Sequence, residues 1–186
     1  MMSPSRALVL CRQATAITFS MLSLALAGCF GKDTSSPTCP DVRIDKDTAS
    51  LTRFRNDRGQ DLTDIVFQSE LVDFSGDCGY DAKTDSMDIR MKVLFAVSKG
   101  PAASEETGTF QYFVAIPAFF PDTAGKQVFP VTFRYPDGNV PTMMIRDTEV
   151  RINLPLKGRN PADTPVYVGF QLEPHELHHN RRPKTR

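Results

Sequence analysis

The sequence predicts an all-β protein, an antiparallel β-sandwich of about seven strands with one short helix near its C terminus. Three observations lead to this fold class. Apolar and polar residues alternate along several runs, and that period favours half-buried strands. Segments rich in Gly, Pro, Asp and Asn separate these runs at short intervals, as turns do. No long run shows the period of an amphipathic helix.

The clearest alternation runs from Met87 to Val97, where Asp88, Arg90 and Lys92 stand between apolar residues. Successive side chains of a strand point to opposite faces, so this run predicts one buried and one exposed face. Three shorter runs repeat the pattern. Their predicted inward positions are Phe110, Tyr112, Val114 and Ile116; Thr148, Val150, Ile152 and Leu154; and Val166, Val168, Phe170 and Leu172.

Two apolar-rich runs, 65–74 and 128–135, add further strands. Pro117 and Pro130 lie beside or within strand-like runs. Because proline cannot donate a ladder hydrogen bond, they predict strand ends or edge strands. The number and spacing of the strands, expected over residues 38–174, are typical of immunoglobulin-like and fibronectin-III-like sandwiches. A small β-barrel is the alternative.

The first 28 residues have the parts of a secretory signal peptide. Arg6 and Arg12 supply a sparse basic start, and an uncharged apolar run follows at 14–27. This run is shorter than the ~20 apolar residues that span a bilayer. The chain is therefore expected to be exported and to lose residues 1–28.

Leu26-Ala27-Gly28-Cys29 closes this segment and resembles the lipobox of bacterial lipoproteins. The resemblance implies that lipoprotein signal peptidase recognises Leu26, Ala27 and Gly28. It also implies a diacylglyceryl group on the Cys29 thiol and a further acyl chain, such as palmitate, on the new amine. Several acyl chains hold a protein lastingly on a membrane, whereas one holds it only marginally. An ordinary secretory signal with a chance cysteine is the alternative.

Residues 29–37 predict an acylated cysteine followed by a flexible tether, because they are mostly small and polar. The enterobacterial sorting rule retains a lipoprotein at the inner membrane when Asp follows the lipidated cysteine. Phe30 stands there instead. This favours the outer membrane, with the domain facing the periplasm, and the inner membrane stays the alternative.

Two cysteines remain for the folded domain, since Cys11 leaves with the signal peptide and Cys29 is acylated. Cys39 and Cys78 predict a disulfide, because paired cysteines of exported proteins oxidise. A metal or redox role is the alternative, although the sequence has no Cys-x-x-Cys spacing to support it. The chain has 22 basic and 22 acidic residues, and this balance does not predict a nucleic-acid partner.

Residues 175–186 predict a short helix and a basic tail, with the helix itself expected from Pro174 to Asn180. All three histidines, His175, His178 and His179, fall here. His175-Glu176 with His179 also fits the His-Glu-x-x-His pattern of zinc proteases. The match lies close to the chain end, on a helix expected to be too short to pack. A solvated C-terminal turn is the main expectation, and metal binding by the histidines is the alternative.

Asp73, Asp77, Asp81 and Asp85 raise a second metal question, because calcium binds carboxylate oxygens. The spacing of an EF-hand is absent, so a polar hairpin connection around Cys78 is the main expectation and a calcium site the alternative.

Phe119 and Phe120 stand beside a turn. Core aromatics at a strand end are the main expectation, and an exposed partner or membrane contact is the alternative.

The sequence lacks the usual signatures of catalysis, which are a Gly-x-Ser-x-Gly motif, a phosphate-binding loop and a dinucleotide fingerprint. All histidines lie in the tail, so a catalytic triad has none to use in the core. The expectation is a protein that is not an enzyme and needs no cofactor. A hydrolase with paired carboxylates is the alternative.

The runs 49–55 (ASLTRFR), 61–71 (DLTDIVFQSEL) and 166–172 (VYVGFQL) are similar to segments of uncharacterised lipoproteins of alphaproteobacteria. That resemblance implies no mechanism. The expected function is a lipid-anchored binding or assembly module with an unknown envelope protein as partner, recognised at edge strands or end loops. A periplasmic metal or small-ligand carrier that uses the histidines is the alternative.

Overall fold

The computed structural model describes residues 37–55, 61–138 and 140–182, with only the backbone of Glu149. The expected signal peptide, the lipobox with Cys29, the tether up to residue 36 and the end of the basic tail lie outside the described residues. Within the described ranges the elements follow in this order: β1 (Val42–Ile44), β2 (Ser50–Phe54), β3 (Ile65–Asp81), β4 (Ser86–Lys99), β5 (Thr107–Ala115), β6 (Lys126–Arg134), β7 (Thr142–Pro155), β8 (Val166–Phe170) and α1 (Pro174–Arg181).

The strands form two sheets of four. Sheet A has the order β1-β8-β5-β6, and sheet B has the order β2-β3-β4-β7. Every pairing is antiparallel except that of β1 with β8, which is parallel. The predicted β-sandwich is confirmed, and the two sheets of the described residues do not close into the alternative barrel.

The core lies between the sheets and follows the predicted alternation. In β4 the inward side chains from Met87 to Val97 are buried, while Asp88, Arg90 and Lys92 are exposed. The inward positions predicted for β5 and β8 up to Phe170 are also buried. Aromatic rings hold the two sheets together, because the Phe95 ring of sheet B lies 5.0–5.5 Å from three rings of sheet A. Those three rings belong to Phe110, Tyr112 and Phe170.

The segment from Asp73 to Asp81, predicted as a polar hairpin connection, is instead the second half of the long strand β3. It pairs with β4 along its whole length, and the turn is confined to residues 82–85. Phe74, Cys78 and Tyr80 are half-buried on one side while their neighbours are exposed. The alternation was hidden because small and polar residues occupy most positions of this half of the strand.

A β-bulge corrects the predicted orientation of Thr148. Two residues of β7, 148 and 149, stand opposite the single residue Lys92 of β4. The extra residue shifts the alternation, so Thr148 is exposed although Val150, Ile152 and Leu154 are buried as predicted. A second register shift falls in β3 between Leu71 and Asp73. Bulges bend and twist a strand locally, and these two lie on either side of the middle of β4.

The prolines lie where the sequence predicts strand limits. Pro130 is in β6, which is an edge strand of sheet A, and Pro117 lies two residues after the end of β5. The two phenylalanines after Pro117 differ from each other. Phe119 is buried, as expected for a core aromatic, whereas 80% of Phe120 is exposed.

The predicted disulfide between Cys39 and Cys78 is confirmed. It joins the extended segment before β1 to the far half of β3, with a Cα–Cα distance of 5.8 Å. The chain therefore enters the domain next to the β3–β4 hairpin.

Candidate functional site

The outer surface of sheet B carries two arginines directly opposite each other, Arg90 on β4 and Arg151 on β7. On the other side of Arg90, Asp77 of β3 is its register partner. Two residues along the strands from the Arg90–Arg151 pair, Asp88 lies opposite Asn153. We call the outward side chains of Asp77, Asp88, Arg90, Arg151 and Asn153 the arginine face.

Each charge on the arginine face has a defined environment. The Nε and Nη2 atoms of Arg90 donate to one oxygen of Asp77, at 2.8 and 2.5 Å, and both side chains are 63% exposed. Asn153 donates to Asp88 at 2.5 Å. None of the described side chains pairs with Arg151. Like charges directly opposite each other destabilise a sheet, so this pair has a cost that the fold alone does not explain.

Two adjoining depressions, of 560 and 450 Å³, lie over this surface, and both are lined by Arg90 and Arg151. The larger one extends to Gly79, where an added Cβ atom would meet nothing within 4 Å. The smaller one extends to Lys92, a third cation. Side-chain-free backbone at Gly79 leaves the larger depression open beside the two guanidinium groups.

The chemistry of this surface suits the binding of an anion. The residues that line the two depressions include no histidine and no cysteine. Their three carboxylates accept hydrogen bonds: Asp77 from Arg90, Asp88 from Asn153, and Asp81 from the backbone N–H of Lys83. A guanidinium fork matches the geometry of a carboxylate or phosphate. Arg151, which pairs with none of the described side chains, can therefore receive an anionic group beside Arg90.

Sequence reasoning placed Arg90 and Lys92 on an exposed face but did not bring Arg151 beside them. The sequence does show that each arginine stands between apolar residues in an alternating run, which predicts an outward side chain for both. Their opposition depends on the register of β4 with β7 across a bulge. Alternation within a single run does not reveal a register.

The helix that carries the histidines is packed, so the expectations of a helix too short to pack and of a solvated turn are wrong. The Glu176 side chain is 1% exposed and lies 3.0 Å from the Nε of Arg53 on β2. Its other oxygen accepts from the backbone N–H of Glu173, which completes a capping box. Asn180 donates to the backbone oxygens of Asp47 and Ser50.

The three histidines stand on this helix in different surroundings. The His179 ring packs edge-on against Phe54, with the ring centroids 5.2 Å apart. The Nε2 atom of His175 is buried without a hydrogen-bond partner. His178 lies in the last turn of the helix. Glu176 already faces Arg53. In the described part of the chain, no three His, Cys, Asp or Glu side chains are grouped closely enough to hold a metal ion.

The four aspartates considered for calcium are spread along β3 and its turn. Asp73, Asp77 and Asp81 are each four residues apart on one strand, which separates them by about 13 Å. One cation cannot be ligated across such distances. Asp85 lies in the turn, where it accepts from the Tyr80 hydroxyl and from the backbone N–H of Gly158. These carboxylates order the hairpin rather than converge on an ion.

Two of the four edge strands of the described sheets, β6 and β7, carry features that oppose the addition of another strand. In β6, Pro130 removes a backbone donor. In β7, the bulge at 148–149 interrupts the edge, and Asp147 points inward to accept from the Tyr112 hydroxyl at 2.7 Å. Burial, and then this hydrogen bond, raise the pKa of Tyr112 above its usual value. Bulges, prolines and inward charges protect edges from pairing, so the arginine face is a better candidate for recognition than the edges at β6 and β7.

Among the helices of the described residues, none has the length and hydropathy needed to cross a bilayer. Comparisons of the chain with protein-family models, with curated proteins and with solved structures gave no match.

Proposed function

We propose that this chain is a lipid-anchored, non-catalytic binding module of the cell envelope, held at the outer membrane with its domain facing the periplasm. Its recognition surface is the arginine face, and its partner is an acidic segment of another envelope protein. The opposition of Arg90 and Arg151 on an open surface carries this proposal.

The partner chemistry follows from the two guanidinium groups. Arg90 is held in place by Asp77, and Arg151 lies opposite it within the same pair of depressions. An acidic segment would supply carboxylates to both and would remove their mutual repulsion on binding. Because the surface is open and broad rather than a deep cavity, a polypeptide segment fits it better than a small molecule.

The envelope location is supported by two features of different kinds. The lipobox resemblance at Leu26 to Cys29 supports lipidation. The Cys39–Cys78 disulfide supports an oxidising compartment, because disulfides persist there and are rare in a reducing cytosol.

Photo-cross-linking in cells tests the proposal. A photoreactive residue in place of Gly79 would sit in the larger depression, since nothing lies within 4 Å of an added Cβ. The matched control carries the same residue in place of Met144, which is 55% exposed on the same sheet but outside both depressions. We expect the first position to form an adduct with an acidic segment of an envelope protein, and the control to form none.

Charge variants then decide whether the adduct depends on the arginine face. Arg90→Glu combined with Arg151→Glu should abolish it, whereas Arg146→Glu should keep it, because Arg146 faces Leu94 outside the depressions. The Cys29→Ser form, which lacks the acylation site, should lose the adduct if the anchor brings the partners together. An adduct at Gly79 that survives the double charge reversal would refute the proposed recognition surface.

A further inference from the structure

The most exposed aromatic ring among the described residues sits on a tightly hydrogen-bonded loop. Phe120 is 80% exposed, in the loop at 117–125 that joins β5 to β6. Backbone N–H groups of Phe119, Phe120 and Asp122 each donate three residues back, and Gly125 donates to Asp122. The Ile116 N–H closes the loop by donating to the Gly125 oxygen. The ring is therefore held out from the domain by an ordered scaffold.

Two cations of the neighbouring β7–β8 loop lie against residues on either side of Phe120 in the loop at 117–125. The guanidinium of Arg159 lies 4.7 Å from the centroid of the buried Phe119 ring. The loop at 117–125 also contains Asp122, whose carboxylate accepts hydrogen bonds from the backbone N–H of Ala124 and the hydroxyl of Thr123. Lys157 lies close enough to Asp122 to stabilise its charge. An exposed aromatic ring with Lys and Arg in the adjoining loop has the residue types that interfacial helices bring to a membrane surface.

The tether enters the domain at the same end. Val42, the first residue of β1, pairs with Val166 of β8, and the next residue of β8 pairs with Ala115, the last residue of β5. Two strand spacings, about 10 Å, therefore separate the start of β1 from the start of the Phe120 loop. The Cys39–Cys78 disulfide fixes this entry point, because Cys78 lies near the end of β3.

The length of the tether limits how the domain can stand on a membrane. Ten residues from Cys29 to Cys39 reach at most about 35 Å when fully extended. Ile65, at the opposite end of β3, lies about 40 Å along the strand from Cys78. An anchor at Cys29 would therefore hold Cys39 within about 35 Å of the bilayer, which is too short for the domain to stand fully inverted on its α1 end.

We propose that the loop at 117–125 rests on the phospholipid surface in which Cys29 is anchored, with the Phe120 ring inserted among the headgroups. This inference rests on the proposed lipid anchor and not on the proposed protein partner. The contact would hold the domain in one orientation and keep the arginine face, which lies on the side of sheet B, open to the periplasm.

Tryptophan fluorescence tests the contact, because the natural sequence contains no tryptophan. The acylated full-length mature chain, carrying Phe120→Trp, is reconstituted in vesicles of phosphatidylethanolamine and phosphatidylglycerol with or without brominated acyl chains. The matched control is Leu62→Trp, which replaces a residue that is 78% exposed just before β3, at the opposite end. We expect a blue shift and strong bromolipid quenching for Phe120→Trp, and neither effect for Leu62→Trp.

Three outcomes would overturn the inference. The first is an unquenched Phe120→Trp chain that nevertheless co-sediments with the vesicles, and the second is equal quenching of both variants. The third is failure of the acylated chain to co-sediment, which would also remove the proposed anchor. The Cys29→Ser form separates the two proposals: we expect it to lose co-sedimentation, which reports on the anchor, while quenching reports on the loop.

Discussion

Arg90 and Arg151 occupy opposing positions of β4 and β7, and only Arg90 has an acidic partner, Asp77, among the described residues. Two like charges at opposing positions weaken the pairing of their strands. A partner that supplies anionic groups would compensate both charges at once, so relief of the repulsion between the two arginines would favour binding. Stability and binding are therefore expected to respond in opposite directions to changes at Arg151.

We expect Arg151→Glu to raise the free energy of unfolding by about 0.5–1 kcal/mol, because it replaces a like-charge pair by an opposite-charge pair. The same change should abolish the Gly79 cross-link. Urea denaturation of the purified domain measures the first effect. Arg146→Glu serves as the control, since Arg146 faces the apolar Leu94 and should change neither property much. A loss of stability in Arg151→Glu would contradict the assigned electrostatics.

The disulfide is expected to stabilise the domain substantially. It closes a loop over a sequence separation of 39 residues, and the chain-entropy model assigns about 4 kcal/mol to a loop of that length. Cys39→Ser combined with Cys78→Ser should lower the free energy of unfolding, measured by urea denaturation, by this amount. Reduction of the natural chain should give the same urea midpoint as the double variant. Equal urea midpoints for the oxidised and reduced protein would show that the disulfide does not stabilise the domain by constraining the unfolded chain.

Tyr112 should make the domain sensitive to alkali. Burial and the hydrogen bond to Asp147 raise its pKa in the folded state, so the stability it contributes is complete below the unfolded pKa of about 10 and is lost as the pH rises above that value. Tyr112→Phe should cost about 1–2 kcal/mol near neutral pH and should flatten the decline above pH ~10. Urea midpoints measured across this pH range test both effects. An unchanged alkaline slope would exclude Tyr112 as its source.

Glu176 should be the most important side chain of α1 for stability. Glu176→Ala removes the buried partner of Arg53 and the acceptor for the Glu173 N–H, and we expect a loss of about 2–3 kcal/mol. Arg53→Met combined with Glu176→Leu should recover part of it, because apolar residues of similar volume can replace a buried pair. Thermal and urea unfolding measure both changes. A loss of stability below about 0.5 kcal/mol in Glu176→Ala would mean that the helix is held by its other contacts.

The sequence predicted those parts of the fold in which local alternation and burial coincide. Met87 to Val97 was assigned correctly because every second residue of that run, starting at Met87, is apolar and reaches the core. The orientation of Thr148 was wrong, because a bulge is a property of two paired strands. The docking of α1 was missed for the same reason, since Glu176 is buried by its contact with Arg53 of the distant strand β2.

The arginine face was missed as a site although each of its residues was visible in the sequence. Arg90 and Arg151 belong to different runs, and only the register of β4 with β7 makes them neighbours. By contrast, the Cys39–Cys78 bond could be predicted by elimination, because the other two cysteines had other expected fates.

The parallel pairing of β1 with β8 joins the first strand of the domain to the last. A chain that is being synthesised or translocated emerges with its N terminus first, so sheet A cannot be completed until Phe170 has emerged. Sheet B needs no residue after β7 for its strands to pair. The β3–β4 hairpin can therefore form early, whereas β1 must wait for nearly the whole domain. Such distant pairings slow folding, and a chain that ends before Val166 would leave β1 without its partner strand.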